Sequence, residues 1–322
     1  MIQYPNRNTP RADLGMALYE FAVNARQKMI ADKVLPSYPV AEESANISVI
    51  TRETLGRRED VQHKDGSSYN RGGFDVEDKQ YTCLEYGHEE PLTMAQKKRY
   101  TNDFNAELAR ARIAFLRLLR EYEIRTAETL FNTTTWATGT ADLYTNNSGN
   151  PWDTAGTDIV TQIETAQQIL EKNTGFRADT LIISSAHRKS IRLNTAFQNS
   201  MKYVQRLDDA SMMNAFADYL GVERVLMGSM TYNTADEGQD FSGSYVWSDD
   251  YAMLAITGEA GLELEESPHL GRTLVWEEEA SDIIEVDTYY EPQTRSDIYR
   301  VRQFQDEFIF DPYFAHLMKI DA

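Results

Sequence analysis

The side chains that could carry out chemistry are few, and their spacing matches no common site. The chain contains five histidines, which are His63, His88, His187, His269 and His316. None of them lies in an HExxH helix or a Cys/His knuckle, the patterns typical of zinc sites. The stretch "SSAHR" brings Ser184 and Ser185 close to His187, but it lacks a nucleophile-elbow pattern and a third residue that would orient the histidine. We therefore predict that these serines end a strand and cap the next helix.

The acidic side chains also fail to form a recognisable site. Asp236, Glu237 and Asp240 lie in the Gly-rich stretch "ADEGQDFSG", which lacks calcium-loop spacing and its terminal bidentate Glu. The run 277–279 and the pair 249–250 could supply the acid and base of a hydrolase. Adjacent residues of a strand point to opposite faces, however, which weakens that interpretation. Neither a GxxxxGK[ST] loop nor a GxGxxG motif occurs. The residues thus predict no catalytic site, no cofactor and no metal.

Composition narrows the class of protein further. The 322 residues leave room for about two domains. Their formal charge of −19 argues against a surface that grips nucleic acid, because such binding needs clustered cations. Cys83 is the single cysteine, which excludes an internal disulfide and fits a packed thiol in a reducing compartment. No signal peptide and no apolar run of membrane-spanning length are visible, so we expect a chain made and kept in the cytosol without a membrane partner.

A long polar insert stands between two strand-like segments. Residues 56–80 read "GRREDVQHKDGSSYNRGGFDVEDKQ" and offer almost no side chains for a core. The preceding "VAEESANISVITRETL" and the following "QYTCLEYGHEEPLT" show the β-branched residues and alternation of strands. We therefore predict a long hairpin, with Asp65-Gly66 and Gly72-Gly73 providing the turn geometry.

Two helices are predicted in the first half of the chain. In the arm formed by residues 1–39, Thr9 can cap a helix and Pro10 suits its first position. The apolar face of that helix would hold Leu14, Leu18, Phe21 and Ala25. Residues 101–132 give the longest helical pattern, about 45 Å at 1.5 Å per residue. Residues 97–125 carry eight Lys/Arg against four Asp/Glu, which indicates either a solvated face or one turned toward an anionic neighbour.

Beyond a polar loop that ends near residue 157, helices and strands alternate. A helix with Ile159 and Leu170 ends near Gly175, and "DTLIISS" follows as a short buried strand. The stretches "AHRKSIRLNT" and "DDASMMNAFADYLG" predict further helices, and "ERVLMGSM" and "SYVWSDDYAMLAIT" predict strands. Residues 259–311 are β-rich and carry a net charge of −11. The chain closes with "DPYFAHLMKI".

This order of parts resembles the major capsid proteins of tailed bacteriophages, whose fold encapsulins share. The resemblance rests on the arm, the polar hairpin, the long helix, the α/β region introduced by "NPWDTAGTDIVTQIETAQQIL" and the strand-rich end. It implies an α+β fold with an N-arm, an extended loop, a peripheral domain with a spine helix, and an axial domain. The implied ranges are 1–39 for the arm, 48–83 for the extended loop, 84–150 and 281–322 for the peripheral domain, and 151–280 for the axial domain.

The resemblance also implies a function. Such proteins form pentamers and hexamers of an icosahedral virion shell around double-stranded DNA, assemble in the bacterial host cytoplasm, and have no enzymatic activity. A portal protein is an implied partner. Because the arm starts at Met1 without a scaffolding segment, a separate scaffolding protein is expected. Two alternatives remain open at this point, an encapsulin-type compartment that encloses a cargo enzyme and a cytosolic hydrolase using the carboxylates around Glu277.

Two sets of site residues follow from the resemblance. The extended loop would lie across the adjacent subunit and contact it through Arg57, Arg58, Glu59, Asp60, Lys64, Asp65, Arg71, Phe74, Asp75 and Lys79. Lys64 or Lys79 could cross-link subunits, although no partner asparagine is assigned. The spine would turn a basic face to the shell interior through Arg110, Arg117 and Arg120. Alternatively, these arginines pair with carboxylates of their own helix, namely Glu107, Glu121 and Glu123.

Overall fold

The computed structural model describes residues 9–10, 29–50, 58, 62, 72–73, 75–100, 105–136, 143–154, 156–200, 209–258, 269–276 and 285–321. The helices in that part of the chain are α1 (Ala31–Val34), α2 (Met94–Tyr100), α3 (Ala106–Leu130), α4 (Thr133–Trp136), α5 (Ile159–Thr174), α6 (Arg188–Leu193), α7 (Thr195–Ser200) and α8 (Asp209–Leu220). None of these helices is long and apolar enough to cross a membrane.

The strands of the same ranges form four sheets. They are β1 (Thr9–Pro10), β2 (Ser37–Val40), β3 (Ser44–Ile50), β4 (Val76–Thr82), β5 (Leu84–Thr93), β6 (Tyr144–Asn146), β7 (Thr180–Ser184), β8 (Arg224–Gly228), β9 (Thr231–Asn233), β10 (Gly243–Tyr245), β11 (Tyr251–Ala255), β12 (Gly271–Trp276), β13 (Glu285–Glu291), β14 (Ser296–Ile309) and β15 (Ala315–Lys319). Six strands make the largest sheet, five make a second sheet, and two hairpins stand alone.

The largest sheet is organised around the 14-residue strand β14. Along one edge, β14 pairs with β13 and then with β12, and along the other edge it pairs with β5. Strand β2 joins β12 in parallel, and β1 joins β13. Helix α3 packs on this sheet through Phe115, Leu118, Leu119 and Tyr122. These residues recur at three- and four-residue spacing, which places them on one face of a helix.

The second sheet has the order β6-β15-β11-β7-β8 and carries apolar cores on both faces. Alternation along β7 explains this, because Leu181 and Ile183 belong to one core and Ile182 belongs to the other. The first core includes side chains of α5, α6 and α8, and the second includes Trp247 and Leu130 at the end of α3. Strands β7 and β8 are parallel, as expected for strands connected through helices.

The predicted long hairpin is present. Strands β3 and β4 pair antiparallel from Ser44 opposite Thr82 to Ile50 opposite Val76, so residues 51–75 connect them. The base of the hairpin packs on the largest sheet, because Tyr81 and Cys83 share a core with Leu274, Phe308 and Phe310. Asp65-Gly66, predicted to form the turn, lies outside the described residues.

Most predicted elements of the second half are confirmed. Helix α5 ends at Gly175, whose φ of +80° suits a residue without a side chain. Strand β7 and helices α6 and α8 also lie where they were predicted. The stretch "SYVWSDDYAMLAIT" forms two strands, β10 and β11, rather than one, because Trp247 turns into the core between them.

The beginning of the chain departs from the prediction. Thr9 and Pro10 do not start a helix but form strand β1, opposite Thr288 and Asp287. Proline is acceptable there because β1 is an edge strand, where the missing N–H group leaves no ladder bond unmade. The apolar positions 14, 18, 21 and 25 lie outside the described residues.

The predicted domain ranges follow the two larger sheets, with three exceptions. Strand β6 falls within 84–150 but pairs with β15 of the five-stranded sheet. Strand β12 falls within 151–280 but pairs with β14 of the largest sheet. Strand β15 falls within 281–322 but pairs with β11 of the five-stranded sheet. The chain therefore passes from one sheet to the other more than once, at strands that do not follow the predicted ranges. The domain boundaries stay a prediction.

Candidate functional site

The residues that suggested chemistry have structural partners. Ser184 ends β7, and its hydroxyl accepts a hydrogen bond from the N–H of Ala186 at 3.4 Å. Ser184 therefore caps the 3-10 turn Ser185–His187 that leads into α6, which confirms the predicted cap for Ser184. The imidazole of His187 is directed to the carbonyl oxygen of Asp249 at 2.6 Å and packs edge-on against Trp152. His187 is therefore a buried residue with structural partners. In the described ranges, no group of three or more His, Cys, Asp or Glu side chains is arranged to hold a metal ion.

Cys83 is packed as predicted. Its thiol donates a hydrogen bond to the carbonyl oxygen of Leu274 at 3.6 Å, and the side chain is buried at the base of the long hairpin. Burial, helped by the charge of Asp306, raises the pKa of this thiol to about 11. The thiol therefore stays protonated and unreactive at neutral pH.

The predicted inter-subunit residues divide into a small described group and a larger group outside it. Seven of the ten lie outside the described residues: Arg57, Glu59, Asp60, Lys64, Asp65, Arg71 and Phe74. Arg58 and Asp75 are exposed. Lys79 is half-buried, and its ammonium group donates to the carbonyl oxygen of Phe310 at 2.6 Å. Lys79 thus fastens the hairpin to its own subunit, while the proposed contacts nearer the tip stay predictions.

A second polar bond fastens the same end of the hairpin. The N–H of Thr82 donates to the carboxylate of Asp306 at 3.0 Å. Burial raises the pKa of Asp306, and this hydrogen bond opposes the shift. The base of the hairpin is therefore joined to β14 by main-chain and side-chain bonds as well as by the aromatic core. Towards the tip, Val76 remains 44% exposed.

The basic face of α3 is paired with the sheet beneath it. Arg110 lies 3.0 Å and Arg117 lies 2.6 Å from the two carboxylate oxygens of Glu90, a buried residue of β5. Arg117 also donates to Nε2 of His88 at 2.8 Å, so that nitrogen is the acceptor. The side chain of Arg117 nevertheless keeps 53% of its surface exposed. Arg120 is half-buried.

Two of the three proposed partners on the same helix, Glu107 and Glu123, bind other groups. Glu107 pairs with Lys97 of α2 at 2.5 Å. Glu123 is fully buried and accepts three hydrogen bonds, from the N–H groups of Ile30 and Ala31 at 3.0 and 3.1 Å and from the indole of Trp247 at 2.6 Å. Glu90, absent from both sequence-based alternatives, is the carboxylate that Arg110 and Arg117 use.

Glu123 joins three distant parts of the chain. Its donors belong to the start of α1 and to the segment between β10 and β11. Burial raises the pKa of this carboxyl, while the three hydrogen bonds lower it. An amphipathic pattern assigns Glu123 to a polar position, so sequence reasoning could not identify it as a buried acceptor. The only local signal was an acid next to the core residue Tyr122.

Comparison with known proteins identifies the fold. No protein-family model and no curated protein matches the chain. A crystal structure of a phage-related protein from Bordetella bronchiseptica matches with a TM-score of 0.68 at 16% identity, over 98% of each chain. The capsid of Cyanophage P-SCSP1u matches with a TM-score of 0.57 at 9% identity, over 100% of this chain and 91% of that one.

An encapsulin complex from Synechococcus elongatus is also similar. Its TM-score is 0.52 at 8% identity, and the match covers 90% of this chain and 86% of that one. The chain therefore has the α+β fold of the major capsid proteins of tailed bacteriophages, which encapsulins share. The predicted fold is confirmed.

Proposed function

We propose that this chain is a structural subunit that assembles into pentamers and hexamers and forms the icosahedral head shell around viral double-stranded DNA. The observation that carries the proposal is the fold, which matches a phage-related protein over 98% of both chains. In this proposal the chain is not an enzyme and needs no cofactor, and it acts in the virion after assembly in the bacterial host cytoplasm.

The parts of the chain have separate roles in the proposed shell. Residues 1–39 are the arm, 48–83 the extended loop, 84–150 with 281–322 the peripheral domain, and 151–280 the axial domain. The six-stranded sheet with α3 supports the peripheral assignment, and the sheet containing β7, β8 and β11 supports the axial one. Strands β12 and β15 each join the other part's sheet, which would hold the two domains together.

The long hairpin is proposed to contact the adjacent subunit. Its base is held by Lys79, Thr82 and Tyr81 within its own chain, so its direction is fixed where it leaves the body. Its far end offers polar side chains of both signs, which suit a contact with defined register. The proposed contact residues are those predicted from the resemblance: Arg57, Arg58, Glu59, Asp60, Lys64, Asp65, Arg71, Phe74 and Asp75. Lys79, also predicted from the resemblance, donates to its own subunit instead.

The exposed parts of Arg110, Arg117 and Arg120 are proposed to face the shell interior. Because Glu90 already neutralises part of the charge of Arg110 and Arg117, this face would attract DNA weakly and without sequence preference. A weakly cationic lining can meet a scaffolding protein first and packaged DNA later. A scaffolding protein and a portal protein are accordingly the proposed partners besides further copies of the chain.

An encapsulin-type compartment is the second candidate, favoured by the likeness to the encapsulin complex. Expression of the chain followed by electron microscopy tests the shared part of both proposals, because either function requires closed shells. The nucleic acid content of the particles, and whether they carry a co-purifying enzyme, then separates the two. A chain that stays monomeric or forms only small oligomers, with and without a co-expressed scaffolding protein, would contradict both.

A further inference from the structure

The small hairpin formed by β9 and β10 is an ordered protrusion of the second half of the chain. Its strands pair only with each other, from Thr231 opposite Tyr245 to Asn233 opposite Gly243. The turn is held by its own bonds, since the side chain of Asn233 accepts from the N–H groups of Ala235 and Ser242 at 3.2 and 2.9 Å. A segment that orders itself in this way presents its side chains in a defined arrangement.

The tip of this hairpin combines an apolar side chain with negative charge. Phe241 is 74% exposed, the highest value among the large apolar side chains of the described residues. Asp236, Glu237 and Asp240 surround the same turn and are exposed. Within the part of the chain that the structure describes, these three carboxylates form no ion pair. Aromatic residues are enriched at protein interfaces and the rim of an interface is polar, so Phe241 beside these acids can serve as a contact residue.

Helix α6 presents the complementary surface. Ile191 lies in the core, which fixes the rotation of the helix and leaves Lys189, Arg192 and Leu193 on its outer side. Leu193 is 59% exposed. The sequence of α6, "RKSIRL", contains no acid. Lys189, Arg192 and Leu193 are named the α6 patch. This patch combines one apolar residue with two cations, whereas the hairpin tip combines one apolar residue with three anions.

We propose that the tip of the β9–β10 hairpin docks on the α6 patch of a second copy of this chain. This proposal rests on the proposed function, because a subunit of a ring needs contacts with its neighbours. Both Phe241 and Leu193 are largely exposed, so they do not cover each other within one subunit. A contact between two different patches of identical chains is head-to-tail and closes into rings when the rotation allows it. Because the chain carries a net charge of −19, its acidic surfaces repel one another. Pairing the three acids of the tip with the two cations of the α6 patch would therefore select this surface and fix its register.

Charge reversal tests the pairing directly. One variant carries Asp236→Lys with Asp240→Lys, a second carries Lys189→Glu with Arg192→Glu, and a third carries all four changes. Each of the first two should lower the yield of assembled particles by about tenfold or more, because like charges then face each other. The third should recover a yield within about twofold of wild type. Circular dichroism should match wild type in all three, since every altered side chain is exposed. Arg192 also has a partner within its own subunit, so a small loss in melting temperature is expected in the two variants that carry Arg192→Glu. Wild-type yield from both single-side variants, or no recovery in the third, would overturn the proposal.

Cross-linking separates this contact from the proposed function. A chain with Phe241→Cys and Leu193→Cys, treated with a short bismaleimide, should give a ladder of linked chains on a denaturing gel. The matched control carries Phe176→Cys with Leu193→Cys, because Phe176 is 51% exposed but lies beyond the opposite end of β7. It should stay monomeric on the gel. A ladder without shells would support the contact and contradict the shell function, whereas shells without a ladder, or an equal ladder in the control, would overturn the contact alone.

Discussion

Strand β7 and strand β4 of the long hairpin differ in what surrounds their side chains. All five residues of β7 are buried within the subunit. Five of the seven residues of β4 are exposed, and burial occurs only near its base, at Tyr81. Strand β7 therefore stabilises its own subunit, whereas most of β4 contributes little to the core of its own subunit. The difference supports the view that the long hairpin is built for a neighbouring subunit.

The largest effect on stability is expected in β7. Leu181 is fully buried between α5, α8 and neighbouring strands, so Leu181→Ala should lower the free energy of unfolding by about 2 to 5 kcal/mol. Val76→Ala in β4 is the matched control, because Val76 is 44% exposed, and it should change the stability by about 0.5 kcal/mol or less. Urea denaturation measures both values. Equal losses at the two sites would remove the distinction between the strands.

Glu123 should have the next largest effect. Glu123→Gln replaces a buried acceptor of three hydrogen bonds by a group that is also a donor, which should cost about 1 to 3 kcal/mol of unfolding free energy. Trp247→Phe removes one of the donors and also leaves a cavity in the core, so its cost sets an upper limit for that single bond. Unfolding followed by tryptophan fluorescence or circular dichroism measures the change. If Glu123→Gln leaves the free energy of unfolding unchanged, the hydrogen bonds of Glu123 contribute nothing to the stability of the subunit.

The same carboxyl predicts a dependence on pH. Because burial raises the pKa of folded Glu123, its contribution is full below its ordinary value of 4.5 and is lost as the pH rises through the raised pKa. Burial raises the pKa values of Asp179 and Asp306 in the same sense. The melting temperature should therefore rise as the pH falls from about 7 to about 5. The rise should be smaller in Glu123→Gln, and an identical rise would contradict the assignment.

A smaller effect is expected on the basic face of α3. Arg110→Gln with Arg117→Gln leaves Glu90 buried without its cations, and the loss should be about 1 to 2 kcal/mol because both arginines are partly exposed. Arg120→Gln should change stability little. If the face is interior, Arg120→Gln should still reduce DNA filling, measured from the absorbance ratio of purified particles. Normal DNA-filled particles from the triple Arg110, Arg117 and Arg120 variant would contradict the interior role.

How far the sequence predicts the structure depends on the range of the interactions. Helix α5 and strand β7 were predictable because their patterns are local, with Gly175 as an explicit stop. The hairpin was predictable from β-branched flanks, although only its base is described. The Glu123 node was not, because its donors lie 93 and 124 residues away along the chain. Glu90 could not be predicted either, because its ion pair with Arg110 forms only when α3 packs on β5. The residues Thr9 and Pro10 suit the start of a helix as well as an edge strand. Their strand conformation depends on pairing with β13, which the local sequence does not reveal.

Removal of the far end of the long hairpin tests the central claim most directly. A chain in which residues 58–74 are replaced by a short turn should keep native circular dichroism and a melting temperature close to that of wild type, because the base contacts of Tyr81, Thr82 and Lys79 remain. Electron microscopy and light scattering of this variant should show folded subunits or small oligomers in place of closed shells. Shells formed at wild-type yield by the folded variant would contradict the proposed inter-subunit role of the hairpin.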